Sequence, residues 1–238
     1  MKKEVLFIFA CAASIFGSAC SPSQTHEIAG IIDEKTRDNL LKKEFSKIKI
    51  KISSPGGKGG PSIEIAEFLS QKEVTFDVSG VCNSACSQIL LPVGETINFI
   101  DNPFVGFHQS LTMEANFFRD AGGDITKCPI FENLVKRETG IQTKNNLNPD
   151  FWKEVESRLI PKNFKLVHYE NDPCLGYDYE FEHFIWYPTS KQLQEKLGLK
   201  FNGSVCADDF TRCIQKIEEL SQGIPGSKIV IGDRVHVF

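Results

Sequence analysis

The sequence predicts an α/β fold in a single domain, with β-strands flanked by helices, and three observations predict it. Hydrophobic strand-like runs recur at residues 48–52, 74–78 and 103–107. Helical patterns stand among them at 33–43 and 61–71, the second placing Ile63, Ile65, Ala66 and Leu69 on one apolar face. The strands also run into residues suited to chemistry: a glycine-rich turn after the first, Ser84 just beyond the second, His108 after the third. In α/β sheets the strand ends are where sites are built.

Each element follows from local pattern. Residues 1–16 combine Met1-Lys2-Lys3 with an apolar run from Val5 to Phe16, too short to span a bilayer, so residues 1–19 read as a signal peptide. Gly17-Ser18-Ala19 before Cys20 suits signal peptidase and partly suits lipoprotein processing, in which Cys20 is acylated; Gly17 stands where a Leu is usual in that motif. Residues 20–25, opening Cys20-Ser21-Pro22-Ser23, read as a tether. The remaining domain, 26–238, is long enough for one real core. Lys47, Lys49 and Lys51 alternate with Ile48, Ile50 and Ile52, so the lysines form the solvated face of a strand, with a basic patch as the weaker reading. Residues 111–126, with Gly122-Gly123, read as an exposed loop. Residues 128–138 and 149–159 read as helices with a Pro in the first turn. Asp178, Glu180 and Glu182 alternate with Tyr179, Phe181 and His183, which reads as a strand. Helices at 190–197 and 208–220 and a strand at 228–231 complete the chain.

Composition narrows the function. With 41% hydrophobic and 24% charged residues and a net charge of −4, the chain lacks the basic surface that nucleic acid requires. Eight cysteines suit an exported protein that forms disulfides. Cys82, Cys86, Cys128, Cys174, Cys206 and Cys213 remain after removal of the leader and of Cys20; six thiols allow fifteen pairings, and the connectivity is not fixed by sequence. Cys206 and Cys213 would sit about 10 Å apart on a continuous helix, so a bond between them requires Cys206 to lie in the preceding loop, which Asn202-Gly203-Ser204 allows. That pair is expected, and Cys128–Cys174 is the weaker second. The absence of a Cys-x-x-Cys pair argues against zinc, and no cofactor is expected.

The stretch from Ser53 to His108 carries the chemistry. Gly56, Gly57, Gly59 and Gly60 free the backbone and expose its N–H groups. Taken singly, a Gly/Pro turn is ordinarily a turn, Ser84 an N-cap and a lone His a structural residue. Their order says more: the N–H groups of Gly57 and Ala85 are the pair of donors an oxyanion hole needs, and His108 is the base that would activate Ser84.

Ser54-Pro55-Gly56-Gly57, then Gly80-Val81-Cys82-Asn83-Ser84-Ala85, then Gly106-Phe107-His108-Gln109, with His108 24 residues after Ser84, resembles the Clp protease proteolytic-subunit family within the ClpP/crotonase superfamily. The Cys82-Asn83-Ser84-Ala85-Cys86 element is similar to one in exported ClpP-like proteins of bacteria. Ala29–Asp33 and the run after it resemble that family's first strand and helix; the likeness covers residues 26–110 well and 184–200 loosely. It implies ClpP/crotonase-like stacked β-sheets and a periplasmic serine peptidase that acts on unfolded or short peptides, without an ATP-driven unfoldase and with membrane contact only through a lipid anchor at Cys20. It also makes a homo-oligomer an expectation. The alternative is a catalytically inactive relative that binds peptide or a partner in the same groove. An acyl-CoA enzyme is disfavoured, because such sites need no Ser/His pair. The family's His-orienting acid falls on residues 185–187, none acidic; Glu182 is the nearest carboxylate, roughly 13 Å of strand from Trp186, and is the candidate third member.

Overall fold

The computed structural model describes residues 24–145, 147–159, 161–166, 177–181, 183–198, 200–221 and 228–237. The leader 1–19, the lipidation candidate Cys20, Cys174 and Glu182 lie outside these described residues.

A mainly parallel sheet flanked by helices forms the centre. Strand β1 (Gln24–Ala29) pairs with β2 (Lys47–Ser54), β2 with β3 (Glu73–Asn83), β3 with β4 (Thr96–Phe99), and β4 with β9 (Phe201–Asn202), all in parallel. The far end of β3 pairs instead with β5 (Phe104–Gly106), so one long strand serves two neighbours. The period-2 pattern of β2 works as read: Ile48, Ile50 and Ile52 are buried, and Lys47 and Lys49 reach Glu73 and Asp77 on β3. The connecting helices α1 (Glu34–Leu41) and α2 (Gly59–Leu69) pack on each other. Asp33 caps α1, accepting from the Thr36 N–H at 2.9 Å.

After β5 come α3 (Leu111–Asp120), α4 (Pro129–Lys144) and α5 (Pro149–Arg158). The hairpin β6 (Pro161–Leu166) and β7 (Tyr177–Phe181) is antiparallel. Strand β8 (His183–Tyr187) joins a second sheet with β10 (Lys228–Ile231) and β11 (Arg234–Val237). Between them lie α6 (Ser190–Gln192), a π-helical turn Leu193–Leu197, and α7 (Phe210–Ser221). Most buried side chains form one core; Ala115, Phe118, Ile125, Cys128 and Val135 form a small separate one under α3 and α4.

Three readings are corrected. Residues 111–120 are a helix, not a loop: Ser110 caps it by accepting from the Met113 N–H, and Met113, Ala115 and Phe118 are buried on one side. Gly122-Gly123 only ends that helix, their N–H groups donating to Arg119 and Phe118 carbonyls. Gln24 and Thr25 belong to β1 rather than to a tether, because they pair with Ile48 and Lys49. The first strand therefore precedes 29–33, where Gly30 turns the chain and Ile32 bridges to Gly57.

Candidate functional site

The ends of β2, β3 and β5 lie side by side, and their loops converge. Ser54 pairs with Cys82, Cys82 with Val105, and Asn83 with Gly106. Beyond β2 the buried Ser54 hydroxyl accepts from the Gly56 N–H at 3.0 Å and shapes the glycine turn, which feeds directly into α2. Gly56 sits at φ 105°, and a β-carbon there would lie 2.5 Å from Ser84 Cβ and 3.0 Å from Ser84 Oγ. The glycine loop thus presses its backbone onto the serine, which no other residue permits. At Gly57 a β-carbon would come 2.1 Å from the Ile32 carbonyl oxygen. Ile32 donates to the Gly56 carbonyl and accepts from the Lys58 N–H, both at 2.9 Å, a pairing that leaves the Gly57 N–H without an acceptor among the described residues.

Ser84 follows β3 in the left-handed region, φ 56°, before the buried π-helical turn Cys86–Leu90. Its N–H donates to the Gly106 carbonyl at 3.1 Å and its carbonyl accepts from the Gln88 N–H at 2.8 Å. Its hydroxyl is not spent as an N-cap: among the described residues it has no hydrogen-bond partner. The Ala85 N–H likewise finds no acceptor among them.

His108 stands two residues beyond Gly106, which accepts from Ser84. The Ser84 hydroxyl and the His108 ring are not hydrogen-bonded to each other. His108 Nδ1 lies 3.0 Å from Gln109 Oε1. With the amide oxygen facing the ring, Nδ1 is the donor of this bond. Burial lowers the His108 pKa below its ordinary 6.5 against the opposing Gln109 hydrogen bond, which keeps the ring neutral.

The segment to which the resemblance assigned an orienting acid does run beside His108. Phe107 and Trp186 exchange two backbone hydrogen bonds at 2.8 Å, yet residues 185–187 offer Ile, Trp and Tyr. Glu182 is outside the described residues, so among them the Nδ1 partner is an amide.

Several supports gave no recognisable sequence signal. Ser87 donates to the carbonyls of Ser84 at 3.0 Å and Gly106 at 2.6 Å. Gln88 Nε2 donates to the His108 carbonyl, so this buried residue holds the backbones of both Ser84 and His108. Asn83 donates to the Tyr187 hydroxyl at 3.2 Å, and burial pushes the Tyr187 pKa up to about 12. A Cys82–Cys86 disulfide, with Cα atoms 5.2 Å apart, brackets Ser84. The expected Cys206–Cys213 bond forms as well, with Cys206 in a short turn ahead of α7. Cys128 is also disulfide-bonded, to a residue outside the described ones.

Among the described residues no group of His, Cys, Asp and Glu could hold a metal ion, and no helix is long and apolar enough to cross a membrane. No family model and no curated protein matches the chain.

Proposed function

We propose that this protein is an exported serine peptidase of ClpP/crotonase-like fold that cleaves unfolded or short peptides. The observation that carries the reading is the Ser84 hydroxyl, unpartnered among the described residues, at the left-handed turn after β3, with Gly56 pressed against it and His108 on the adjoining strand end. Ser84 Oγ attacks the amide carbonyl while His108 Nε2 takes its proton. The N–H groups of Gly57 and Ala85 hold the oxyanion, and His108 returns the proton to the leaving amine. Water then releases the acyl group from Ser84 by the same proton path. The disulfides suit an oxidising compartment.

Gln109 is a neutral amide and stabilises the imidazolium less than a carboxylate does, so full activity calls on the candidate third member Glu182. That same amide favours a second reading, a non-catalytic peptide-binding protein using the same groove. Turnover of an unstructured fluorogenic peptide separates them. Ser84→Ala and His108→Ala are each expected to lower kcat by about 10³-fold or more while peptide binding persists. Wild-type binding without turnover above either variant supports the second reading instead. The rate of wild type should rise with pH through an apparent pKa below 6.5, as the buried imidazole loses its proton; an acid limb above 6.5 contradicts His108 as the base.

A further inference from the structure

We propose that the Cys82–Cys86 disulfide is a positioning device for Ser84, fixing the left-handed turn that presents its hydroxyl; the catalytic part of this rests on Ser84 being the nucleophile. Cys82 is fully buried and fixed on both sides, paired to Ser54 on β2 and to Val105 on β5. Cys86 is equally buried and is the first residue of the π-helical turn. Only Asn83, Ser84 and Ala85 lie between. The backbone there passes from strand through φ 56° at Ser84 to right-handed φ −53°, ψ −29° at Ala85.

Four residues of continuous strand would separate two Cα atoms by roughly 13 Å. The observed 5.2 Å requires the chain to reverse within this segment, and the left-handed serine makes that reversal. A non-glycine residue pays for that conformation, so an unlinked turn has an incentive to relax towards extended or right-handed backbone. Relaxation would swing the Ser84 side chain away from Gly56, break the Ser84 N–H bond to Gly106 and re-aim the Ala85 N–H. The covalent ring removes those alternatives. Because neither sulfur-bearing residue is exposed, a soluble thiol has no approach in the folded state, and the link is a fixed clamp rather than a reversible switch. The Cys206–Cys213 bond supplies a control: it is buried in the same core but closes the turn before α7, where the Cys206 N–H donates to the Pro103 carbonyl.

Amide hydrogen exchange by NMR tests the clamp without relying on activity. In Cys82→Ala/Cys86→Ala the Ser84 amide is expected to exchange about tenfold faster, the population shift set by one left-handed residue, while Phe76 and Val78 keep their protection. Cys82→Val/Cys86→Ala, which restores buried volume, should behave alike, and Cys206→Ala/Cys213→Ala should leave Ser84 unchanged. Unaltered Ser84 exchange in the first two variants overturns the proposal. So does loss of fold in both, or loosening spread along all of β3, because either makes the bond a general staple. In parallel, the rate of covalent Ser84 modification by a fluorophosphonate should fall in step in the clamp variants with peptide Kd unchanged. If wild type itself is unreactive while exchange behaves as expected, the nucleophile reading fails and the clamp stands.

Discussion

The sheet that carries the site and the helical layer laid over it are held together differently. Strands β2 and β3 bury Ile48, Ile50, Ile52, Val74, Phe76 and Val78 in the main core, continuous with the turn that follows Ser84. Helices α3 and α4 send Met113 and Ile141 into that core and, among the described residues, enclose five more in a cluster of their own. Leu111 touches both clusters, and Glu138 of α4 accepts from the Leu111 N–H at 3.3 Å and from the Thr112 N–H and hydroxyl at 2.9 Å. The sheet fixes Ser84 by packing, whereas the layer beside it is joined to the main core through Met113 and Ile141, to α2 through Arg137–Glu67, and across its own helices by the buried Glu138 on the start of α3. The larger core thus lies under the candidate site.

The same deletion in the two cores should expose the difference. Phe76→Ala is expected to cost about 3–5 kcal/mol of global stability in urea melts. Phe118→Ala should cost less, about 3 kcal/mol at most, with faster exchange confined to α3 and α4. Equal losses, or exchange that spreads into β3 from Phe118→Ala, would merge the two regions into one cooperative unit.

Glu138 sharpens the contrast by its pH dependence. Burial raises its pKa above the ordinary 4.5, outweighing the hydrogen bonds from Thr112 and Leu111. The folded state therefore binds the proton more tightly than the unfolded chain, and this group's contribution falls as pH rises from 4.5 through the raised value. The stability of wild type relative to Glu138→Gln should accordingly be greater at pH 4.5 than at pH 8; the opposite trend rejects a raised pKa.

The smallest effect is expected on the solvated face of the sheet. Burial raises the Asp77 pKa, but the hydrogen bonds from Lys49 and Asn98 outweigh it and hold the carboxyl below its usual value. Its stabilisation is present above about pH 4 and is lost as pH falls through the depressed pKa. With Lys49 well exposed, Lys49→Ala should cost about 1 kcal/mol or less at pH 7 and nearly nothing once Asp77 is protonated. A loss of several kcal/mol would mean the pair is structural.

The parts of the fold legible in sequence were those with a strong local period. Alternation at Ile48, Ile50 and Ile52 gave β2, and the apolar face of 61–71 gave α2 to within two residues. The glycine turn, Ser84 and His108 were legible because each follows a strand. Strand β4 had no visible pattern, being only four residues long. Helix α3 was hidden by the diglycine that merely ends it. The Cys82–Cys86 bond escaped notice because four residues of strand keep cysteines apart, and nothing local announces that Ser84 turns left-handed. Cys206–Cys213 was foreseeable because a Gly-Ser loop visibly allows the return. Gln88 and Gln109 were illegible as supports, since a glutamine's partner is decided by tertiary placement.

The central claim is that Ser84 is an activated nucleophile held at the meeting of three strand ends. Incubation of the mature protein with a fluorophosphonate, followed by peptide mass mapping, tests it most directly. One adduct per chain is expected on Ser84, absent in Ser84→Ala and slowed at least about 10²-fold in His108→Ala. No adduct, or an adduct on another residue that persists in Ser84→Ala, would contradict it.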